Sequence, residues 1–316
     1  MPMKTTYLLT GGNGNLARQL AVELKHENSL VILFDISSPD QRDIPVGCEY
    51  VQGDITDQEV LLSLFEKYRP NVVLHMASLL SGSSETDRRR AWEINAGSSF
   101  NLLELSLKYG VKCFFFPSTV VTYGKDLVEP LPEDFPQWPE SIYGATKVAV
   151  ERAGHYFHTK HGLNFRSVRL PFVISAYAPK GALTAYASHV YREAVEGRPF
   201  VFPVKETTAV STIYVKDVIR GILQFIQVPD EKLTRRVYNV HGFSPGARSI
   251  ASAIQKILPG FSFSFSPDPA VLAITNGIPV AMIDQSARDD WGWNPRYSLE
   301  TMTEDFINEL STTYPS

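Results

Sequence analysis

The chain has 316 residues, of which 44% are hydrophobic, and a formal net charge of -4 at pH 7. Such a length allows one large α/β unit, or one domain with a smaller addition, and either can bury a sizeable core. A slightly acidic chain lacks the basic surface that binds phosphate backbones or anionic lipid, so we expect no nucleic acid and no membrane among its partners.

The predicted elements of the first half alternate between short β-branched or aromatic runs and longer amphipathic stretches. This alternation is typical of βαβ units, and the fold class we predict is α/β with a doubly wound parallel sheet. The predicted strands are Thr6–Thr10, Leu30–Asp35, Glu49–Gly53, Val72–Met76, Cys113–Pro117 and Asn164–Leu170. The predicted helices between them are Asn15–His26, Asp57–Tyr68, Arg88–Tyr109 and Ser141–His161.

The alternation weakens after Pro171, where glycine, proline and shorter helical pieces appear. We therefore divide the chain into a first domain, residues 1–172, and a smaller C-terminal region, residues 173–316. The predicted helices of that region are Leu183–Glu196, Val215–Gln227 and Ser249–Leu258. A β-branched run near residues 236–240 predicts that the chain returns there to the main sheet.

Neither a targeting segment nor a metal site is evident. The apolar stretch Tyr7–Leu9 is too short for a signal peptide, and no apolar run reaches the roughly 18 residues of a membrane span. The two cysteines, Cys48 and Cys113, are far apart and have no metal-ligand spacing, so we expect no metal. Free thiols fit a reducing compartment, and we expect a cytoplasmic protein.

A glycine cluster follows the first predicted strand and precedes the first helix. Gly11 would make the tight turn, Gly14 would let the backbone approach a pyrophosphate, and Ala17 would allow close packing of helix on strand. Glycines also make ordinary turns, but the order strand, turn, helix favours a dinucleotide site in a Rossmann-type domain. The residues expected to bind the cofactor here are Gly11, Gly12, Asn13, Gly14, Asn15 and Leu16.

An acidic residue ends the second predicted strand. Asp35 can accept hydrogen bonds from ribose hydroxyls and would repel a 2′-phosphate, so NAD is favoured over NADP. The ordinary interpretation is an aspartate that forms a turn. Further cofactor contacts are expected after the later strands, at Asp54, Ile55, Met76, Ala77, Ser78 and Pro171.

A tyrosine and a lysine lie four residues apart at the start of the fourth predicted helix, on one face. Tyr143 is a poor base at a pKa of about 10, but the cation of Lys147 and a positive nicotinamide ring would both favour the phenolate. Alone, this pair more often means a packed aromatic beside a solvated charge. Ser118 and Thr119, which end the preceding strand, could hydrogen-bond a reacting alcohol, although such residues also cap turns.

With these motifs the sequence resembles the extended short-chain dehydrogenase/reductase superfamily over essentially the whole chain. The resemblance implies a Rossmann fold, bound NAD and a triad of Thr119, Tyr143 and Lys147. The triad member is Thr119 rather than Ser118, because Tyr123-Gly124 aligns with a Tyr-Gly pair of the superfamily. Asn95 matches one of its structural asparagines. The resemblance also implies a homodimer, paired through the helices at 88–109 and 141–161.

Within the superfamily, several segments resemble the short-chain type of L-threonine 3-dehydrogenase, notably Ala77–Ser81, Arg166–Arg169 and Ile283–Trp293. That resemblance implies a small-molecule substrate held by Ser81, Thr119, Tyr143 and Thr184. The phenolate would take a proton from a secondary alcohol while a hydride passes to NAD. An arginine typical of that group is missing from Asp268–Ala273, so the substrate stays open.

Three alternatives use the same fold. A nucleotide-sugar epimerase shares cofactor and triad, but usually carries an arginine where this chain has Val210. A sugar dehydratase would need an acidic pair where Val120 and Val121 stand. An NAD-sensing protein without catalysis would have a broken triad, and all three triad residues are present.

Overall fold

The computed structural model describes residues 4–39, 44–178 and 185–313. Its main feature is a seven-stranded parallel sheet, as the sequence predicted, in the strand order β10, β6, β5, β4, β1, β2, β3. The strands are β1 (Thr5–Thr10), β2 (Ser29–Asp35), β3 (Glu49–Gln52), β4 (Val72–His75), β5 (Cys113–Thr119), β6 (Phe165–Leu170) and β10 (Val237–Asn239).

The order of the strands reverses beside β1. This strand pairs in parallel with β2 on one side and with β4 on the other. In open parallel sheets, ligands bind outside the carboxyl ends of the strands at such a reversal. The glycine cluster follows β1, so it lies at the place where this rule puts a nucleotide.

Helices connect the strands: α1 (Asn15–Leu24), α2 (Gln58–Tyr68), α3 (Ser81–Thr86), α4 (Arg88–Trp92), α5 (Ser98–Lys108) and α6 (Ile142–His161). In α1, residues 17, 20, 21 and 24 are buried, which is the spacing of one helix face. The helix ends follow ordinary capping chemistry. The side chain of Ser141 accepts a hydrogen bond from the Gly144 amide at the start of α6, and Gly162 ends that helix in the left-handed conformation.

A π-helical segment, Glu93–Gly97, lies between α4 and α5. The sequence predicted one uninterrupted helix over Arg88–Tyr109, and that prediction was wrong at its centre. Periodicity alone could not reveal the change, because a single wide turn leaves the apolar pattern on both sides intact. Such turns are frequent at functional sites.

The hydrophobic core of this part of the chain comes from the sheet and its helices. Leu8, Ile32, Val73 and Phe114 supply buried strand positions, with helix residues such as Leu61 and Phe65 packed against them. Strands β2, β4 and β5 are buried on both faces over most of their length, which explains their nearly continuous apolar runs, whereas β3 at the edge of the sheet has no fully buried residue.

Two compact units form, each from several stretches of chain. One comprises the described residues within 1–122, 137–169 and 221–238. The other comprises 123–136, 239–313 and the described residues within 170–220.

The second unit contains small parallel sheets of two strands. They pair β7 (Phe172–Ile174) with β9 (Thr212–Tyr214), and β8 (Phe200–Phe202) with β11 (Phe263–Phe265). The helices of the C-terminal half are α7 (Tyr186–Val195), α8 (Val215–Gln227), α9 (Ala247–Ile257), α10 (Pro269–Thr275), α11 (Gln285–Trp291) and α12 (Leu299–Thr313).

Candidate active site

The glycine turn after β1 is shaped by close approach of two loops. Gly11 has φ +65°, and a Cβ atom there would come within 2.7 Å of the Ala77 amide nitrogen. The Gly14 amide donates to the Gly11 carbonyl at 2.8 Å, which closes the turn. Because Gly14 is the N-cap of α1, no side chain of the cap occupies the first amides of the helix. A phosphate group fits such a helix start.

The Asp35 carboxylate at the end of β2 is held in a defined orientation. Its Oδ2 accepts from the Asn13 amide at 3.1 Å, and its Oδ1 accepts from the amide and the hydroxyl of Ser37 at 2.9 and 2.8 Å. The side chain of Asn13 donates to the Ser37 hydroxyl at 2.9 Å. A fixed carboxylate beside the glycine turn is chemically suited to the hydroxyls of an adenosine ribose.

The two cofactor contacts expected after β3, Asp54 and Ile55, differ in their burial. Asp54 is half-buried and pairs with Arg90 at 2.7 Å. Burial alone would raise its pKa, but hydrogen bonds from Thr56 and Arg90 bring the pKa below its usual value. Ile55 is buried in the hydrophobic core, with 7% of its surface exposed.

The loop after β4 is held by the buried side chain of Asn95, which lies in the π segment. Its Oδ1 accepts from the Leu79 amide at 2.7 Å, and its Nδ2 donates to the Leu79 carbonyl at 3.0 Å. The same Nδ2 contacts the Thr146 hydroxyl at 3.4 Å. Asn95 therefore ties the loop that begins with Met76, Ala77 and Ser78 to helix α6.

Helix α6 brings the tyrosine and the lysine together. The Lys147 Nζ lies 5.4 Å from the centre of the Tyr143 ring and 4.3 Å from that of Phe116. It donates to the Pro117 carbonyl at 2.9 Å, which anchors it against the end of β5. Thr119 is the last residue of β5 and is half-buried.

Burial dominates the acid-base properties of this pair. It raises the pKa of Tyr143 to about 12, and it lowers the pKa of Lys147 to about 7 despite the opposing effect of Glu151. From the sequence we expected the lysine cation to lower the pKa of the phenol, but the protein groups alone leave that pKa raised. A lysine that is half neutral near pH 7 exerts a weak field, so a lowered phenol pKa requires a further positive charge.

A buried ionic network lies one helical turn beyond Lys147, and the sequence analysis missed it. The carboxylate of Glu151 is fully buried and accepts from Nε and Nη2 of Arg169, at 3.0 Å to Oε1 and 2.8 Å to Oε2. The Ser118 hydroxyl and, at 3.0 Å, the Gln137 side chain also donate to Glu151. The Ser118 hydroxyl thus uses its proton for Glu151, whereas the Thr119 hydroxyl oxygen accepts from the Val121 amide at 3.4 Å. The sequence feature that could have indicated this network is the glutamate four residues after Lys147, on the same face of the helix.

Two further residues expected at the site lie in the described part of the chain. Ser81 is the first residue of α3 and is half-buried. Pro171, an expected cofactor contact, directly follows β6 and is buried. Thr184 lies outside the described residues.

The described residues contain neither a membrane-spanning helix nor a group of metal ligands. No helix in those ranges is long and apolar enough to cross a membrane. Among the same residues, no three or more histidine, cysteine or acidic side chains are grouped so that they could hold a metal ion.

Comparison with known proteins identifies the family of this chain. The model of the NAD dependent epimerase/dehydratase family matches residues 7–240. A mitochondrial L-threonine 3-dehydrogenase of Bos taurus is 32% identical over 305 residues, which are 95% of this chain and 81% of the relative.

Solved structures show the same similarity. An L-threonine dehydrogenase from Cupriavidus necator, in its holo form, superposes with a TM-score of 0.91 at 32% identity, covering 96% of this chain and 99% of the other. A monomeric L-threonine 3-dehydrogenase from a metagenome gives a TM-score of 0.90 at 28% identity, covering 97% and 99%. The chain therefore belongs to the NAD-dependent epimerase/dehydratase family, within the extended short-chain dehydrogenase/reductase superfamily, and is an NAD-dependent enzyme of the dehydrogenase or epimerase type.

Proposed function

We propose that this enzyme oxidises the secondary alcohol of a small β-hydroxy amino acid of the L-threonine type. The observation that carries the proposal is the placement of Tyr143 and Lys147 on one face of α6, with the lysine anchored to the strand that ends at Thr119. Similarity to L-threonine dehydrogenases over nearly the whole chain supports the choice of substrate class.

In this proposal each side chain has one task. Thr119 holds the substrate hydroxyl by a hydrogen bond, and Tyr143 takes the proton from that hydroxyl. Lys147 holds the ribose of the cofactor and places its charge near the phenol. Bound NAD would supply the hydride acceptor. The residues that would hold it are those of the glycine turn, Asp35 and the loop after β4.

The charge distribution of the second unit argues against a nucleotide sugar. A buried diphosphate needs cationic partners, because each charge-assisted hydrogen bond is worth roughly 1.5 to 3 kcal/mol. Val210, where epimerases usually carry an arginine, is buried and apolar. Arg248, a possible substitute, forms an ion pair with Glu206. The epimerase remains the second candidate because the family model includes such enzymes.

A direct assay separates the two candidates. Purified protein with NAD is given L-threonine, related β-hydroxy amino acids or a UDP-hexose, and NADH formation and sugar interconversion are followed. The proposal expects NADH to form with a β-hydroxy amino acid and no sugar epimer. Epimer formation without net NADH would establish the second candidate, and NADH binding without turnover of any substrate would favour the NAD-sensing alternative.

We propose that the enzyme is a homodimer paired through α4, α5 and α6. Trp92, Phe100 and Tyr156 are about half exposed on these helices, and apolar side chains that cluster on a surface mark interaction sites. Phe100 and Tyr156 both contact the ring of Phe157, with ring centres 5.4 and 5.7 Å apart, so they belong to one surface. Sedimentation should give a dimer for the wild type and a monomer for Phe100→Glu. A wild-type monomer would contradict the proposal.

A cytoplasmic location is also proposed, from the two free cysteines Cys48 and Cys113. Fractionation of the source cells should place the activity in the cytoplasm, and recovery from another compartment would contradict it.

A further inference from the structure

A chain of buried hydrogen bonds connects the glycine turn with the π segment. The Thr10 hydroxyl lies 2.7 Å from Nδ1 of His75, and Nε2 of His75 lies 2.7 Å from the Ser99 hydroxyl. The Ser99 hydroxyl lies 2.5 Å from the Asn95 carbonyl oxygen. Thr10, His75 and Ser99 have no exposed surface, and no role assigned above uses the histidine.

The direction of every bond in this chain follows from its two ends. A carbonyl can only accept, so the Ser99 hydroxyl donates to Asn95 and must accept from the His75 ring. The neutral ring therefore carries its proton on Nε2, and its Nδ1 accepts from the Thr10 hydroxyl. The Thr10 oxygen in turn accepts from the Ala77 amide at 3.3 Å.

The His75 ring is a fixed link in this series of hydrogen bonds and does not transfer protons. Burial, with the nearby cation of Lys147, lowers the pKa of His75 to about 3. The ring is thus neutral at any pH near 7, and the tautomer set by its neighbours does not change. Nδ1 faces the cofactor turn, and Nε2 faces the helix that carries Asn95.

We propose that His75 is a positioning residue that aligns the two walls of the cofactor cleft. Its Nδ1 side fixes Thr10 and, through it, the amide of Ala77 at the close approach to Gly11. Its Nε2 side fixes Ser99 and the Asn95 backbone, so that the Asn95 side chain holds Leu79 and Thr146. This inference rests on the proposed assignment of these loops to the cofactor.

Two substitutions separate the sides of the ring. His75→Gln places an amide near the position of Nε2, which keeps a donor for Ser99 and loses the acceptor for Thr10. His75→Asn places an oxygen near the position of Nδ1, which keeps the acceptor for Thr10 and loses the donor for Ser99. Thr10→Val and Ser99→Ala remove the same two bonds from the opposite ends.

Two measurements, neither of which needs a substrate, test the two sides of the His75 ring separately. Loss of one net hydrogen bond corresponds to about a fivefold change in an equilibrium. We expect His75→Gln and Thr10→Val to raise the Kd for NADH, measured by fluorescence titration, about fivefold. We expect His75→Asn and Ser99→Ala to speed hydrogen exchange of the Leu79 amide about fivefold.

Helix α5 supplies a matched control. Ser106 is another buried serine on that helix, and its hydroxyl has no hydrogen-bond partner among the described residues. Ser106→Ala should change neither measurement. The inference is overturned if Ser99→Ala behaves like Ser106→Ala, or if His75→Gln and Thr10→Val bind NADH like the wild type. Both measurements are independent of the substrate, so failure of the L-threonine assay leaves them intact.

Discussion

Two successive turns of helix α6 each carry a buried ionisable side chain, and the two side chains differ in how far their charge is compensated by hydrogen-bond partners. Glu151 is surrounded by donors from Arg169, Ser118 and Gln137, so its charge is compensated. Lys147, one turn earlier, has as its hydrogen bond the Pro117 carbonyl, and burial lowers its pKa to about 7. The difference shows that burial by itself does not define a reactive group, because the compensated charge holds the helix and the uncompensated one can titrate.

The largest expected effect comes from the phenol beside the uncompensated lysine. Tyr143→Phe should lower kcat about 1000-fold, since it removes the proposed proton acceptor, while the NADH Kd stays within about threefold. Steady-state kinetics and NADH titration measure the two quantities. Tyr109→Phe, which removes a hydroxyl that donates to Glu66 just beyond the end of α5, is the control. Near-normal turnover by Tyr143→Phe would remove the tyrosine from the mechanism.

Substitution in the turn that carries the compensated Glu151 should lower the stability of the protein. Glu151→Ala leaves the buried guanidinium of Arg169 without its main partner, and we expect the free energy of unfolding to fall by about 3 to 5 kcal/mol. Urea denaturation measures it. Replacing both partners, Glu151→Leu with Arg169→Met, should cost clearly less, because no unpaired charge remains. If Glu151→Ala alone lowered the free energy of unfolding by less than about 1 kcal/mol, Glu151 would not be the main partner of the buried Arg169 charge.

The uncompensated turn should make stability depend on alkaline pH. Lys147 binds its proton less tightly in the folded state than in the unfolded state, so the unfolded state holds more protons between pH 7 and 10.5. Stability should therefore rise with pH in that window, by about 2 to 3 kcal/mol from pH 7 to pH 9. Lys147→Met should lack this increase in urea denaturation. Equal slopes for both proteins would show that the lysine has an ordinary pKa.

The smallest effect concerns His75, which is buried, neutral and paired at both nitrogens. Its folded pKa of about 3 is below the ordinary value of 6.5, so the unfolded state takes up a proton first as the pH falls. From pH 7 to pH 5 the wild type should lose about 2 kcal/mol of stability more than His75→Gln does. Parallel acid denaturation of the two proteins measures the difference. The same loss in both would mean that the ring is accessible to protons.

Much of the sheet could be predicted from the sequence. β1, β2 and β4 alternate with helices in a pattern that only a parallel sheet satisfies, and the glycine cluster marks its nucleotide edge. The glycine turn, Asp35 and the loop after β4 follow the carboxyl ends of these strands, whereas Thr119 ends β5 and the Tyr143–Lys147 pair lies on α6. The local sequence pattern is sufficient to predict these strands, because a central parallel strand is buried on both faces. The loop that follows begins where the run of buried apolar residues ends.

The features that could not be predicted depend on partners distant in sequence. Glu151 is an unremarkable helix position until Arg169 faces it, and His75 is an ordinary strand end until Thr10 and Ser99 meet it across the sheet. The pKa values of Tyr143 and Lys147 likewise follow from burial, which a motif does not report. Charge compensation is a property of the assembled interior, so motif spacing identifies the groups but not their protonation.

The π segment has a consequence for how such a helix can vary. A π turn contains one more residue than an α turn, so Glu93–Gly97 is equivalent to a single-residue insertion accommodated without disturbing the helices on either side. Deleting one residue there would leave a continuous, well-packed helix and take away the bulge that presents Asn95. Evolution could therefore lose or regain the alignment of this wall in one step, with little change in how well the domain folds.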